Sequence, residues 1–191
     1  MKILKRTSRV ALCVLLFTIF LASSETFAES VHTKRASQNI INILRQDFLM
    51  SEAITIIKKS SSRSSSRQYL ASQKNRFNFI ATQEQLPMIV DAYSVQNLTS
   101  PIIGYSMFFY GSNGPLVILD ASVNPLNKPA MDSVSKLIKS SLDSAPNPDG
   151  SKMYFLGIYE LDASRLLKIM VRKGQTPMGD DYAIRYAVSE R

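Results

Sequence analysis

Hydrophobic positions along this chain change their period three times. From Val10 to Ala22 the run VALCVLLFTIFLA is almost wholly apolar and shows no period. From Ser37 to Lys59, residues Ile40, Ile43, Leu44, Phe48, Ala53, Ile54 and Ile57 recur three and four apart, which predicts one amphipathic helix. Ser37 is placed to cap its start, and Lys58 and Lys59 suit the negative end of its dipole. Ser60 to Arg67 then reads SSSRSSSR, with no apolar residue, and predicts a flexible tether. From Arg76 onward, short apolar and aromatic runs alternate with turn residues. Phe77–Thr82, Met88–Val95, Tyr105–Tyr110, Leu116–Asp120, Met153–Leu161, Leu166–Arg172 and Tyr182–Val188 are the expected strands.

The turns join these strands into hairpins. Ser112-Asn113-Gly114-Pro115 lies between the third and fourth, where Asn-Gly supplies the positive φ angles of a tight turn. Asp162-Ala163-Ser164 turns a second hairpin. Ala130 to Leu142 breaks the β pattern, because Met131, Val134, Leu137, Ile138 and Leu142 have helical spacing. The expected fold is therefore mainly β, of α+β class: a small antiparallel β-barrel or sandwich with an N-terminal amphipathic helix and one inserted helix. Closing the sheet would remove its exposed edges. The expected segments are 1–28, 29–59 (the helix), 60–75 (the tether) and 76–191 (the β domain).

The first segment adds a location. Lys2, Lys5, Arg6 and Arg9 precede the apolar run, and Thr26-Phe27-Ala28 places small residues at −3 and −1 of a cleavage site, the three-part plan of a secretory signal peptide. Thirteen apolar residues are too few to span a bilayer, which takes roughly 20. Cleavage after Ala28 would leave 163 residues, periplasmic or secreted. Cys13, the only cysteine, would go with the leader, so disulfides, zinc–thiolate sites and cysteine nucleophiles are excluded from the mature chain. The formal charge of +8 is unevenly placed. Residues 29–76 hold nine basic and three acidic residues, whereas residues 77–191 hold ten basic and eleven acidic.

One order of motifs is familiar. Leu119-Asp120, Asn124-Pro125, Lys128-Pro129-Ala130-Met131-Asp132, Gly157-Ile158-Tyr159-Glu160-Leu161-Asp162, Leu167-Lys168-Ile169 and Gly174-Gln175-Thr176-Pro177 follow one another. In this order the stretch Leu116–Asp181 resembles the lipocalin-like domain of many exported Planctomycetes proteins. The chain departs from that family in carrying Thr176 where an Arg is usual, in having no Trp, and in a helical pattern after Lys128-Pro129. The resemblance implies a barrel-like fold and no settled activity.

Candidate chemistry is sparse. His32 is the only histidine and lies close to the cleavage site, so a Ser-His-Asp triad within the folded part is ruled out. Asp120, Asp132, Glu160 and Asp162 are the acid–base resource. Glu160 and Asp162 fall on one face of a strand, and a hydrolase using them is a weaker reading than turn capping. Asp180 and Asp181 lack the spacing of a Ca²⁺ loop. No cofactor or metal is implied. The aromatic residues Tyr93, Tyr105, Phe108, Phe109, Tyr110, Tyr154, Phe155 and Tyr159 either fill a core or line a cavity. From these, Tyr93, Tyr105, Phe108, Tyr110, Phe155 and Tyr159 are the expected ligand-binding residues. The sequence thus points to an exported, non-enzymatic binding module for a small apolar ligand or an envelope protein partner. The alternative is an envelope-surface protein whose basic N-terminal segment meets an anionic membrane. The basic and aromatic segments are separate, which argues against nucleic acid.

Overall fold

The computed structural model describes residues 34–147, 150–177 and 179–191. The leader with its cleavage site, Cys13 and His32 lie outside the described residues. Three helices come first: α1 (Gln38–Asp47), α2 (Met50–Lys59) and α3 (Arg63–Ser72). Strands β1 (Phe77–Gln85), β2 (Met88–Val95), β3 (Ile102–Tyr110) and β4 (Leu116–Val123) follow as a meander, and α4 (Lys128–Lys139) crosses to a second one. The second meander is β5 (Asp143–Pro146), β6 (Lys152–Glu160), β7 (Arg165–Thr176) and β8 (Gly179–Glu190). All eight form one antiparallel sheet in the order β1-β2-β3-β4-β8-β7-β6-β5.

Three expectations are corrected. The sheet is open, with β1 and β5 at its edges, and does not close into a barrel. The helix expected over Ser37–Lys59 is two helices, because Phe48 and Met50 are both fully buried. Residues two apart lie roughly 200° apart around a continuous helix, so one helix could not bury both. The chain breaks at Leu49, which takes left-handed φ of 53°. Finally, the Ser/Arg stretch expected as a tether over 60–75 forms α3. Ser62 caps it, accepting from the Ser65 N–H, and Ser65 returns the bond to the Ser62 backbone. Ser66 and Leu70 are buried beneath it.

The hairpin turns fall where expected, with one difference of mechanism. In the β3–β4 loop the positive φ sits at Gly111, and neither Asn113 nor Gly114 adopts it. Gly114 is needed for closeness instead, since a Cβ there would lie 1.7 Å from the Tyr110 carbonyl oxygen. This loop also receives α3. Gly114 O accepts from the Arg63 N–H at 3.0 Å, and Asn113 Oδ1 accepts from the Ser64 N–H at 2.8 Å.

The helices and one face of the sheet share a continuous core. Leu44, Phe48, Met50, Ile56 and Leu70 pack with Tyr105, Met107, Phe109, Leu119, Ile169, Val171, Ile184 and Tyr186. Ahead of α1, the chain is pinned beside β6: Ala36 donates to Ile158 O, and Ile158 donates to Lys34 O, both at 2.9 Å. Gly157 makes this approach possible, with φ of 129° and no room for a Cβ, which would stand 2.5 Å from Ala36 N.

Because helices and sheet share one core, Phe48→Ala should lower stability by about 3–5 kcal/mol. Urea unfolding followed by far-UV circular dichroism and by tyrosine fluorescence should shift together in one transition. Separate transitions for helix and sheet would contradict a common core.

Candidate functional site

Strand pairing sorts side chains into two faces. On the face away from the helices, Ser94, Gly104, Ser122 and Ala183 lie in one row across β2, β3, β4 and β8. The adjoining row is Ala81, Ala92, Ser106, Asp120 and Arg185. Small residues in neighbouring rows leave a hollow. A cleft of about 290 Å³ forms there, walled by Ile80, Val90 and Ile103 and bordered by Arg172 and Asp181. Ile80 and Ile103 are 44% and 41% exposed, so its apolar wall faces solvent. Arg172 donates to Asp181 at 2.7 Å, giving one end of the cleft a polar rim.

Next to the cleft the same face holds a buried ion pair. Arg185 donates twice to Asp120, at 2.7 and 2.6 Å, and the two residues are only 5% and 2% exposed. The Arg185 guanidinium also sits over the Phe108 ring, 5.7 Å from its centroid. The helices pack on the other face, and Phe108 of the same sheet is the side chain seen against this pair.

The six aromatic residues expected to bind ligand are not brought together. Phe108 and Phe155 are buried on the face away from the helices. Tyr93 and Tyr105 border the cleft, but their side chains belong to the opposite face. Tyr105 donates to Glu52 of α2 at 2.7 Å, and burial together with that carboxylate pushes its hydroxyl well above the usual tyrosine range. Tyr110 is 60% exposed at the end of β3. Tyr159 is half-buried and accepts from Arg45 at 3.5 Å. Besides Tyr93 and Tyr105, the cleft is lined by small residues such as Ala92, Ser94, Gly104 and Ser106, which a search for aromatic contact area passes over. Their signal in the sequence is the alternation Val90-x-Ala92-x-Ser94 and Gly104-x-Ser106.

The singled-out carboxylates are all held by cations. Asp132 pairs with Lys128, Glu160 with Arg35 and Arg191, Asp162 with Arg165, Asp180 with Lys173. Arg165 and the turn N–H groups hold the Asp162 carboxyl at about 2. Each of these carboxylates therefore has a cation as its nearest charged partner. Among the described residues no group of three His, Cys, Asp or Glu is placed to hold a metal.

The strongest polar centre is one that sequence reasoning missed. Asp91, fully buried in β2, is gripped by both arginines of α3. Arg63 and Arg67 each donate twice to it at 2.8–2.9 Å, and Thr82 of β1 donates at 2.6 Å. Burial acts to raise the Asp91 pKa, but these hydrogen bonds outweigh it and hold the carboxyl at about 2. Burial and the neighbouring Asp91 charge push the Tyr93 hydroxyl up to about 12. Two signals marked this centre: an Asp inside an apolar strand, and Arg63, Ser66, Arg67 and Leu70 at helical spacing.

No family model, curated protein or solved structure matches this chain. No described helix is long and apolar enough to cross a membrane.

Asp91→Asn should destabilise the fold by about 3 kcal/mol, the low end for a broken buried pair, because Arg67 stays partly open to water. The folded-state pKa is depressed, so the contribution is complete above about pH 4 and is lost as pH falls toward 2. Urea midpoints of the two proteins should therefore differ at pH 7 and converge in that acid window. A constant difference across it would place the stabilisation elsewhere.

Proposed function

We propose that this chain is an extracytoplasmic, non-enzymatic binding module that takes a small, largely apolar ligand in the cleft on the uncovered face of its sheet. The cleft itself carries this reading: an apolar hollow of about 290 Å³, floored by small side chains and open to solvent. That volume lies near the lower limit for small-molecule sites, roughly 300 Å³, and favours a compact ligand. The Arg172–Asp181 rim supplies a place for one polar end. The leader-like N-terminus supports an extracytoplasmic setting through its sequence alone. The resemblance to exported lipocalin-like domains agrees with a binding role and adds no ligand.

Attraction of the basic segment to an anionic membrane is the weaker reading. Four of its arginines are already paired, Arg35 with Glu160, Arg63 and Arg67 with Asp91, and Arg76 with Glu52. That leaves exposed cations such as Lys58 and Lys59 to supply a surface charge.

The neutral fluorophore N-phenylnaphthylamine should bind the purified mature protein saturably, one per chain. Ala92→Phe should fill the cleft and weaken binding by about tenfold or more, with the circular dichroism spectrum unchanged. Binding that is absent, non-saturable or indifferent to Ala92→Phe would remove this reading.

A further inference from the structure

The two edges of the sheet are built differently. β5 is four residues long and ends in Pro146, which has no N–H to offer. β1 runs for nine residues, FNFIATQEQ, with no Lys, Arg or Pro and a single charge at Glu84. Short length, lysine and proline are the usual means of blunting an edge. β1 lacks all three and has only a register shift between Phe79 and Ala81. Its neighbour on one side is β2, and on the other no strand lies among the described residues. Phe79 is 53% exposed there.

Beside this edge, α3 leaves a second recess, of about 380 Å³, on the helix side, with Tyr93 between it and the cleft. Leu70, Ala71, Phe77 and Phe79 give it an apolar floor, and Arg67 and Lys74 stand at its rim. The Arg67 guanidinium lies over the Phe79 ring at 5.1 Å from its centroid. Asp91 neutralises one of Arg63 and Arg67, so this cluster keeps one net positive charge. Lys74 is exposed and adds a second, and no carboxylate lines the recess.

We infer that this edge receives an extended, acidic peptide segment of a partner protein. The segment adds as a ninth strand along β1. It seats one apolar side chain between α3 and Phe79 and brings a carboxylate to Lys74. Backbone pairing supplies affinity in such augmentation, and the recess beside the strand supplies selectivity. A second copy of this chain is disfavoured as the occupant. Two-fold pairing of β1 with itself would offer each recess at most one carboxylate, Glu84, the single acid of the strand. The recess lies on the helix side of the sheet and the cleft on the other, with Tyr93 bordering both, and the two are told apart by the substitutions below.

The test uses the mature protein and a panel of synthetic peptides of alternating Thr and Val, with a central Leu, Phe or Tyr and two Glu near one end. A parallel panel carries Lys in place of Glu. Hydrogen exchange should slow at the β1 amides from Phe79 to Glu84 when a Glu peptide is added, and stay unchanged at β5. Lys74→Glu and, separately, Ala71→Glu should each weaken binding by about tenfold while leaving N-phenylnaphthylamine binding intact. Three results would overturn the inference: no slowing at β1 with any Glu peptide, equal binding of the Lys panel, or indifference to both substitutions. Slowing at β1 on raising protein concentration alone would overturn it too, by assigning the edge to a second copy.

Discussion

An eight-stranded antiparallel sheet with one strongly apolar face must cover that face, and four helices do so here. The two sides of the sheet acquire different tasks from this. On the covered side, Met107, Phe109, Leu119, Ile169 and Tyr186 meet Leu44, Phe48, Met50 and Ile56, and the packing is that of an ordinary core. On the other side no described helix packs, so residue size decides whether the surface bulges or hollows. Rows of Gly, Ala and Ser make it hollow. Cleft and core are thus two outcomes of the same strands, assigned by parity along each strand.

The Asp91 centre fixes how the cover is fitted. Its carboxylate binds Arg63 and Arg67 from α3 and Thr82 from β1, so one buried anion ties a helix to two strands. The energetic weight of such a centre lies in its completeness. Removing a single partner leaves charge in a place with little water to answer it. The same contacts set the height of α3 above β1, and with it the width of the recess between them. A helix so rich in serine has little intrinsic propensity, so its stability rests on the cap at Ser62, the buried Leu70 and these tertiary bonds.

Much of the sheet was legible from alternation and turn chemistry. β2 has the expected ends, five of the other expected strands recur with extended ends, β6 is shifted by one residue toward the N-terminus, and α4 starts two residues and ends three residues before the helix expected over Ala130–Leu142. β5 was not legible, because Asp143-Ser144-Ala145-Pro146 has neither apolar alternation nor β-branched residues and pairs only through its backbone with β6. Closure was the larger misreading. Edge protection can come from a closed sheet, but a short, proline-ended β5 achieves it at one edge, and at the other β1 has only the bulge between Phe79 and Ala81. The break at Leu49 was hidden because Phe48, Leu49 and Met50 are all apolar, and the helix at Arg63–Ser72 was hidden for a different reason. Periodicity counts apolar residues, whereas Arg63 and Arg67 face inward toward a charge. The cleft was hidden because its lining is defined by what its side chains lack.

Arg185 and Asp120 sit where the two meanders meet, at the pairing of β8 with β4. Every other neighbour pair of strands is consecutive in the chain and joined by a turn or loop that limits how they can align. This pair is joined only through the rest of the fold, 65 residues apart. Sliding β8 by one residue would turn Arg185 into the oily layer beneath the helices. Sliding it by two would part the guanidinium from its carboxylate and strand both without water. The pair therefore serves as a locating pin for the seam, indexing two separately formed halves to a single alignment.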